Sequence, residues 1–413
     1  MIKNLLFKTI LCISLFLMVY TPADSCTSAI FTGKVNKDGK PVMWKHRDTG
    51  EENNRIEYFK GPKYIFYALV NSPLKTDKKG NRIYEAWSGS NEAGFCIMNT
   101  ASYNLKDDNI PESQMDNEGV VMFKALGTCK NLADFEKMLD NYEKPMGVET
   151  NFGVIDSEGG AAYYEVSNTG WTKIDVNDPK IAPQGYLVYT NHSYTGRKDE
   201  GMGYIRYTTA DNIIKKRLSR GGEITPRWIF DNLSRSFYHS LLDKDLKNEN
   251  FEWFIDQDFI PRKSSTAVVV FKGEETPVMW TLLGYPPTAP AVPLCVKAGE
   301  EGIPSFMRST VSLPDKISSK ESVNKKDKKF NAPICDLSLE VKNEVFPVKR
   351  GNGNKYLHFS LLWNKENSGW IQRIKPVEDY IFSEAEKVEW NKSGDTHSEY
   401  YSNIWKKIEE MYK

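Results

Sequence analysis

The sequence predicts an α+β protein in which helices pack on largely antiparallel sheets. Two observations carry this reading: β-prone runs come in pairs around Gly-containing turns, and helix-period segments separate the early pairs from the late ones. The chain has 413 residues, 40% hydrophobic and 27% charged, ample for one large domain or two modest ones.

Residues 1–25 read as a secretory signal. Lys3 and Lys8 form the basic start, an apolar run extends from Leu5 through Val19, and small residues Ala23 and Ser25 stand at the cleavage positions. The apolar stretch from Ile10 to Tyr20 is too short to span a bilayer of roughly 30 Å. The mature protein is therefore expected to be secreted or periplasmic, without stable membrane insertion.

The mature chain opens with a hairpin. Ser28 to Lys34 and Pro41 to Arg47 are β-prone runs around Asn36-Lys37-Asp38-Gly39-Lys40, a turn centred on Asp-Gly. Folding back there places Asp48 opposite residue 29, about three residues along the ladder from Cys26 at ~3.3 Å per residue. A second hairpin joins Tyr84–Trp87 and Phe95–Asn99 through Ser90-Asn91-Glu92-Ala93-Gly94. Asn131 caps a helix whose Leu132, Phe135, Met138 and Leu139 share a face. Asn151–Ile155 and Ala161–Val166 pair around a Gly-rich turn, and Tyr186–Tyr189 ends in polar Thr190-Asn191-His192-Ser193. Helices follow over Thr209–Leu218 and, from the Thr225-Pro226 cap signal, to about Leu242. Strands resume at Thr266–Phe271 and Val278–Leu283 before a Pro-rich stretch. Residues 315–329, rich in Lys and Ser, read as a solvated loop, and Val377–Asn391 and Ser398–Tyr412 as terminal helices.

Charge narrows the class of partner. Fifty-five basic residues balance fifty-five acidic ones, so electrostatics make no case for nucleic acid or an anionic membrane. His239, His358 and His397 are isolated, and no paired His or Cys spacing marks a metal site. No cofactor is expected.

Cys26 carries the chemistry. Signal removal would make it the first residue, joining a thiol of reference pKa about 8.5 to a free α-amine of about 7.7–8. After cleavage Cys26, Cys96, Cys129, Cys295 and Cys335 remain, an odd number, so at least one thiol is unpaired or bonds to another chain. Two other readings stay open: a lipoprotein signal, which Ala23 and Asp24 fit poorly, and an ordinary packed or bridged cysteine. His46 and His192, near Asp48 and Asn191 in the chain, admit a Cys-His dyad, although an α-amine makes a histidine base unnecessary.

The string CTSAIFTGKVNKDGKPVMWKHRD at Cys26–Asp48 resembles the start of mature N-terminal-nucleophile cysteine hydrolases: penicillin acyltransferase, choloylglycine hydrolase and penicillin V acylase, and more distantly the cysteine dipeptidases. NEAGFCIMNTAS at Asn91–Ser102, NFGVIDSEGGAAYYEVS at Asn151–Ser167, YLVYTNHSYTG at Tyr186–Gly196 and MWTLLGYPP at Met279–Pro287 are similar to later family blocks in the same order. The resemblance covers roughly Cys26 to Leu294.

That resemblance implies a four-layer αββα sandwich of antiparallel sheets with a C-terminal helical extension. The divisions expected are a signal at 1–25, a hydrolase domain at 26–312, a charged loop at 313–331, and an extension at 332–413 packed on the core. It implies Cys26 as nucleophile with its amine as base, Asp48 as the carboxylate holding both, and Asn99 and Asn191 as the oxyanion positions. Lys45 stands where two branches carry Arg, and the family's late active-site Arg best matches Arg262. The implied partner is a small-molecule N-acyl amide, and the protein could form a homo-oligomer. Hydrolysis of its linear amide is the expected activity. An acyltransferase or dipeptidase of the same fold, or a non-enzymatic lipoprotein anchored at Cys26, is the alternative.

Overall fold

The computed structural model describes residues 25–105, 109–249, 251–316, 330–347, 356–392 and 395–413. Of residues 1–25, expected to be a signal, only Ser25 is included, and residues 317–329 of the expected charged loop also lie outside the described residues.

Alternating strands build two antiparallel sheets. The chain begins with β1 (Thr27–Phe31) and β2 (Val42–Asp48), then runs through a seven-stranded sheet in sequential order. Its strands are β3 (Asn54–Lys60), β4 (Ile65–Asn71), β5 (Ser88–Asn91), β6 (Cys96–Ala101), β7 (Thr150–Ile155), β8 (Ala161–Val166) and β9 (Trp171–Asp175). β10 (Tyr186–Tyr189) returns to β1. Two short pairs intervene, β11 (Tyr238–His239) with β12 (Lys244–Asp245), and β13 (Trp253–Ile255) with β17 (Tyr356–His358). β14 (Ser265–Lys272), β15 (Val278–Leu283) and β16 (Val292–Cys295) complete a six-stranded sheet ordered β10-β1-β2-β14-β15-β16.

The period of two along each strand sorts side chains to two faces. Ile30, Met43 and Val269 of the first sheet pack in one apolar cluster with Tyr67, Leu69, Met98 and Tyr163 of the second. Their neighbours Phe66, Ala68, Ile97 and Tyr164 turn to the opposite face, where α1 (Glu118–Thr128) and α2 (Leu132–Asp140) cover them. Phe31, Trp44, Val268 and Val270 meet α3 (Tyr204–Leu218) and α4 (Pro226–Ile229). Each fully buried aliphatic or aromatic side chain contributes roughly 1.5–3 kcal/mol, so alternation over this many strands fixes the register.

The C-terminal residues share this core. α5 (Pro333–Val345), α6 (Trp370–Ala385) and α7 (Asp395–Tyr412) supply Ile334, Leu339, Ile381 and Ile404 to the cluster between the sheets. Trp280 stacks on Phe382 with ring centres 3.9 Å apart, and Phe306 on Trp405 at 4.5 Å.

Several elements differ from the sequence reading. The helix expected from Pro226 to about Leu242 ends early: α4 loosens into a π turn at Phe230–Ser234 and a hairpin follows. Arg235 is the physical reason, because its buried guanidinium bonds both oxygens of Glu378 and the carbonyls of Pro286 and Ala289. Tyr84–Trp87 is not strand. Tyr84 instead stacks on Phe123, and pairing begins at Ser88. Both terminal helices start before the residues expected to open them.

Candidate active site

The β1–β2 register positions the site. Thr27 pairs with His46 and Ala29 with Trp44, so Asp48 lies opposite residue 25 and not residue 29. A 3₁₀ turn at Gly33–Val35 takes up chain before Asp38-Gly39, which moves the fold-back point towards the N-terminus. The correction brings the carboxylate nearer. The Ser25 amide donates to the Asp48 carbonyl at 3.0 Å, and Cys26 Sγ lies 4.0 Å from that same oxygen.

Asp48 is fully buried and held at both oxygens. Arg262 Nη2 donates to Oδ2 at 2.6 Å and Ser265 Oγ to Oδ1 at 2.5 Å. Arg262 Nη2 also reaches the Ser25 carbonyl at 3.3 Å. Ser265 sits where the β2–β14 register shifts, between its own pairing with Asp48 and that of Ala267 with Arg47. A bulge there re-aims one side chain, and here the hydroxyl turns onto the carboxylate.

His46 Nε2 lies 2.8 Å from Ser265 Oγ. Because Ser265 gives its single proton to Asp48, Nε2 must be the donor, which assigns the neutral tautomer from the network. Burial pushes the His46 pKa down to about 4, against the pull of Asp48. His192 Nδ1 pairs with Thr190 Oγ1 at 3.1 Å. Both histidines thus commit a ring nitrogen to a hydroxyl.

Folding keeps His46 neutral while the unfolded chain titrates near 6.5, so between those values the unfolded state binds the extra proton. The stability this contributes is complete above pH 6.5 and is lost as pH falls towards 4. Urea midpoints measured across that window are expected to drop less steeply in His46→Gln than in the wild type.

Arg206, in the first turn of α3, is a site residue that the sequence reading misses. Its Nη1 donates to the Cys26 carbonyl at 2.6 Å and to Thr27 Oγ1 at 2.7 Å, while Nη2 donates to Ser25 Oγ and Asn191 Oδ1, each at 2.8 Å. Burial first, and then Arg262, press its pKa down to about 9. The expected helix start at Thr209 leaves Arg206 in a loop, whereas the helix begins five residues earlier, at Tyr204.

Asn191 Oδ1 also accepts from Ser25 Oγ at 2.9 Å, and Nδ2 donates to the Ala101 carbonyl at 3.0 Å. Asn99 joins through Lys45, whose buried Nζ donates to Asn99 Oδ1 at 2.8 Å and to the Trp87 carbonyl at 2.5 Å. Asn99 Nδ2 donates to Thr150 Oγ1 at 3.2 Å. Burial raises the Cys26 pKa, and the Lys45 charge is the largest influence opposing it.

The structure therefore brings Cys26, Asp48, Asn191 and Arg262 into one hydrogen-bonded cluster with Arg206 and Ser265, and sets Asn99 beside it on Lys45. All five cysteines among the described residues are free thiols, Cys295 and Cys335 included. Among the described residues no group of three or more His, Cys, Asp or Glu could hold a metal, and no helix is long and apolar enough to cross a membrane.

No family model matches the chain, and no curated protein matches it in sequence. Solved structures do resemble it. The Caenorhabditis elegans N-acylethanolamine-hydrolyzing acid amidase ortholog is 14% identical with a TM-score of 0.38, covering 59% of this chain and 92% of that one. A mutant of the conjugated bile acid hydrolase from Clostridium perfringens is 12% identical with a TM-score of 0.37, covering 62% of this chain and 89% of that one. Penicillin V acylase from Agrobacterium tumefaciens is 9% identical with a TM-score of 0.33, covering 65% of this chain and 86% of that one. By name, the last two match branches that the sequence resemblance points to.

Proposed function

We propose that this protein is an exported amidohydrolase, built on the αββα sandwich, whose mature chain begins at Cys26 and cleaves the linear amide of an N-acyl amine or N-acyl amino acid. One observation carries the reading: Ser25, the residue leading into Cys26, is gripped by Arg206, Arg262 and Asn191, and Arg262 also holds the carboxylate of Asp48. Those groups are the ones an acyl-transfer site needs beside a thiol.

Removal of residues 1–25 would expose an amine that titrates within about one unit of pH 7. Cys26 burial disfavours the thiolate, so a base on the same residue supplies what the thiol lacks. Asp48, fixed by Arg262 and Ser265, would orient the amine. The thiol proton passes to that amine as sulfur attacks the amide carbon. The oxygen that gains charge would be taken by Asn191 Nδ2, which also holds the Ala101 carbonyl, and by the Asn99 backbone N–H, and losing one such donor typically costs ~10²–10³ in rate. The ammonium then returns its proton to the leaving amine, and water, deprotonated by the freed amine, resolves the thioester to the acid.

The test joins two measurements on the secreted protein. N-terminal sequencing is expected to begin with unmodified Cys26. A panel of N-acyl amino acids, N-acylethanolamines, penicillin V and short peptides is expected to yield free amine from at least one class. A blocked, diacylated Cys26 would sink the reading.

A further inference from the structure

The helix α5 of the C-terminal extension touches the backbone of Ser265 and the loop that follows Asp48. Lys342, buried at 2% exposure, donates from Nζ to the Ser265 carbonyl at 3.2 Å, and Ser265 is the residue whose hydroxyl holds Asp48 Oδ1. The same ammonium bonds Glu52 Oε1 at 2.5 Å, in the loop that continues directly from Asp48. That loop and the start of β3 are tied to α5 and the two residues before it at further points: the Ala332 amide donates to the Asn54 carbonyl at 3.3 Å, Asn331 Nδ2 to Asn53 Oδ1 at 3.3 Å, and Cys335 Sγ to the Glu52 carbonyl at 3.6 Å.

The geometry calls for such a clamp. Ser265 stands at a shift in the β2–β14 ladder, where pairing is interrupted and the residue's direction is set by what grips it from outside the sheet. Its hydroxyl serves Asp48, His46 and the Arg262 amide together, so a small rotation of the Ser265 peptide would misdirect three partners. On the far side of this shell, Asp256 Oδ2 accepts from the Lys263 amide at 2.9 Å, and the Lys342 ammonium lies 5.8 Å from the Tyr285 ring. Lys342 thus closes the polar shell behind the carboxylate from a segment outside the stretch that carries the family resemblance.

We propose that Lys342 is a positioning residue for the reaction at Cys26, holding the Ser265 bulge so that Asp48 keeps the α-amine and thiol in register, and that α5 is in this way part of the active site. The inference rests on Cys26 being the nucleophile. It assigns the extension a role in catalysis besides its share of the core.

Iodoacetamide alkylation of Cys26 in the mature full-length protein, followed by peptide mass spectrometry at fixed pH, tests this without a known substrate. In Lys342→Met the Cys26 rate is expected to fall about tenfold with the unfolding midpoint retained, since misplacing a positioned group by about 1 Å can cost up to ~10². Lys342→Arg should restore most of it. Glu52→Gln, which breaks the ion pair but leaves the Ser265 contact, should stay near the wild-type rate. With any substrate the panel identifies, the loss should fall on kcat and not on KM. If Lys342→Met does not fold, Lys342→Gln replaces it, with at least about a threefold fall expected on the same grounds. A folded Met or Gln variant with wild-type alkylation would overturn the proposal, and so would Glu52→Gln falling as far as Lys342→Met, because α5 would then act only as a structural anchor. If Cys26 in the wild type reacts no faster than the other thiols, the nucleophile reading itself fails and takes this inference with it.

Discussion

Cys26→Ala is expected to lower amide hydrolysis by at least about 10⁴-fold while leaving the fold intact. The substitution removes only Sγ, and the strand pairing of β1 with β2 and β10 does not depend on it. What remains is an amine, a carboxylate and two guanidinia with nothing to attack the carbonyl. Cys26→Ser is the sharper variant. It keeps the α-amine and a hydroxyl of similar size, but a hydroxyl is far harder for an amine of pKa near about 8 to deprotonate, so turnover should fall nearly as far. Progress curves on the best substrate of the panel, with urea midpoints for both variants, check this; undiminished turnover in either would remove Cys26 from the mechanism.

Glu378→Ala is expected to destabilise the protein by about 3–5 kcal/mol, the cost of leaving a buried charge without its partner. Glu378 is fully buried on α6, takes both terminal nitrogens of Arg235 at 2.8 and 2.6 Å, and accepts the Ala291 amide at 2.7 Å. Removing it leaves Arg235 to the more distant Asp231 carboxylate at 3.7 Å and two carbonyls, and unpairs a backbone donor beside β16. Arg235→Met combined with Glu378→Leu should recover much of the loss, because well-packed apolar residues can replace a buried pair at little cost. Urea unfolding of the three proteins measures both effects. A loss under about 1 kcal/mol in Glu378→Ala would mean that the extension is not held to the core through this pair.

The strands legible in the sequence are those with apolar or alternating runs beside Gly turns. Val278–Leu283 has the ends its pattern predicts, and the expected Thr266–Phe271 falls one residue short at each end. β3 and β4 are missing from the sequence reading although both carry strand patterns: β4 is a continuous apolar run, and in β3 Arg55 and Glu57, which pair with each other at 2.8 Å, alternate with Ile56 and Tyr58. α5 escapes it because its start, Pro333, lies just beyond the Lys-rich loop and its inward face includes Lys342, a residue type read by default as solvated. The same default hides Arg206. A buried cation looks like surface until the structure supplies its carbonyls. Turn chemistry alone places Asp48 near Cys26, with an error of four residues in register that a 3₁₀ turn accounts for. Arg262, matched only through the family's late arginine, does stand on the carboxylate.

The central claim is that Cys26, as the first residue of the mature chain, carries the acyl group as a thioester. Intact-protein and peptide mass spectrometry of mature wild-type protein, quenched in acid during turnover of the panel's best N-acyl substrate, tests it most directly. The expected result is one added acyl mass, lost on treatment with hydroxylamine, on a peptide beginning at Cys26. Turnover with that peptide unmodified, or a mature N-terminus other than Cys26, would contradict it.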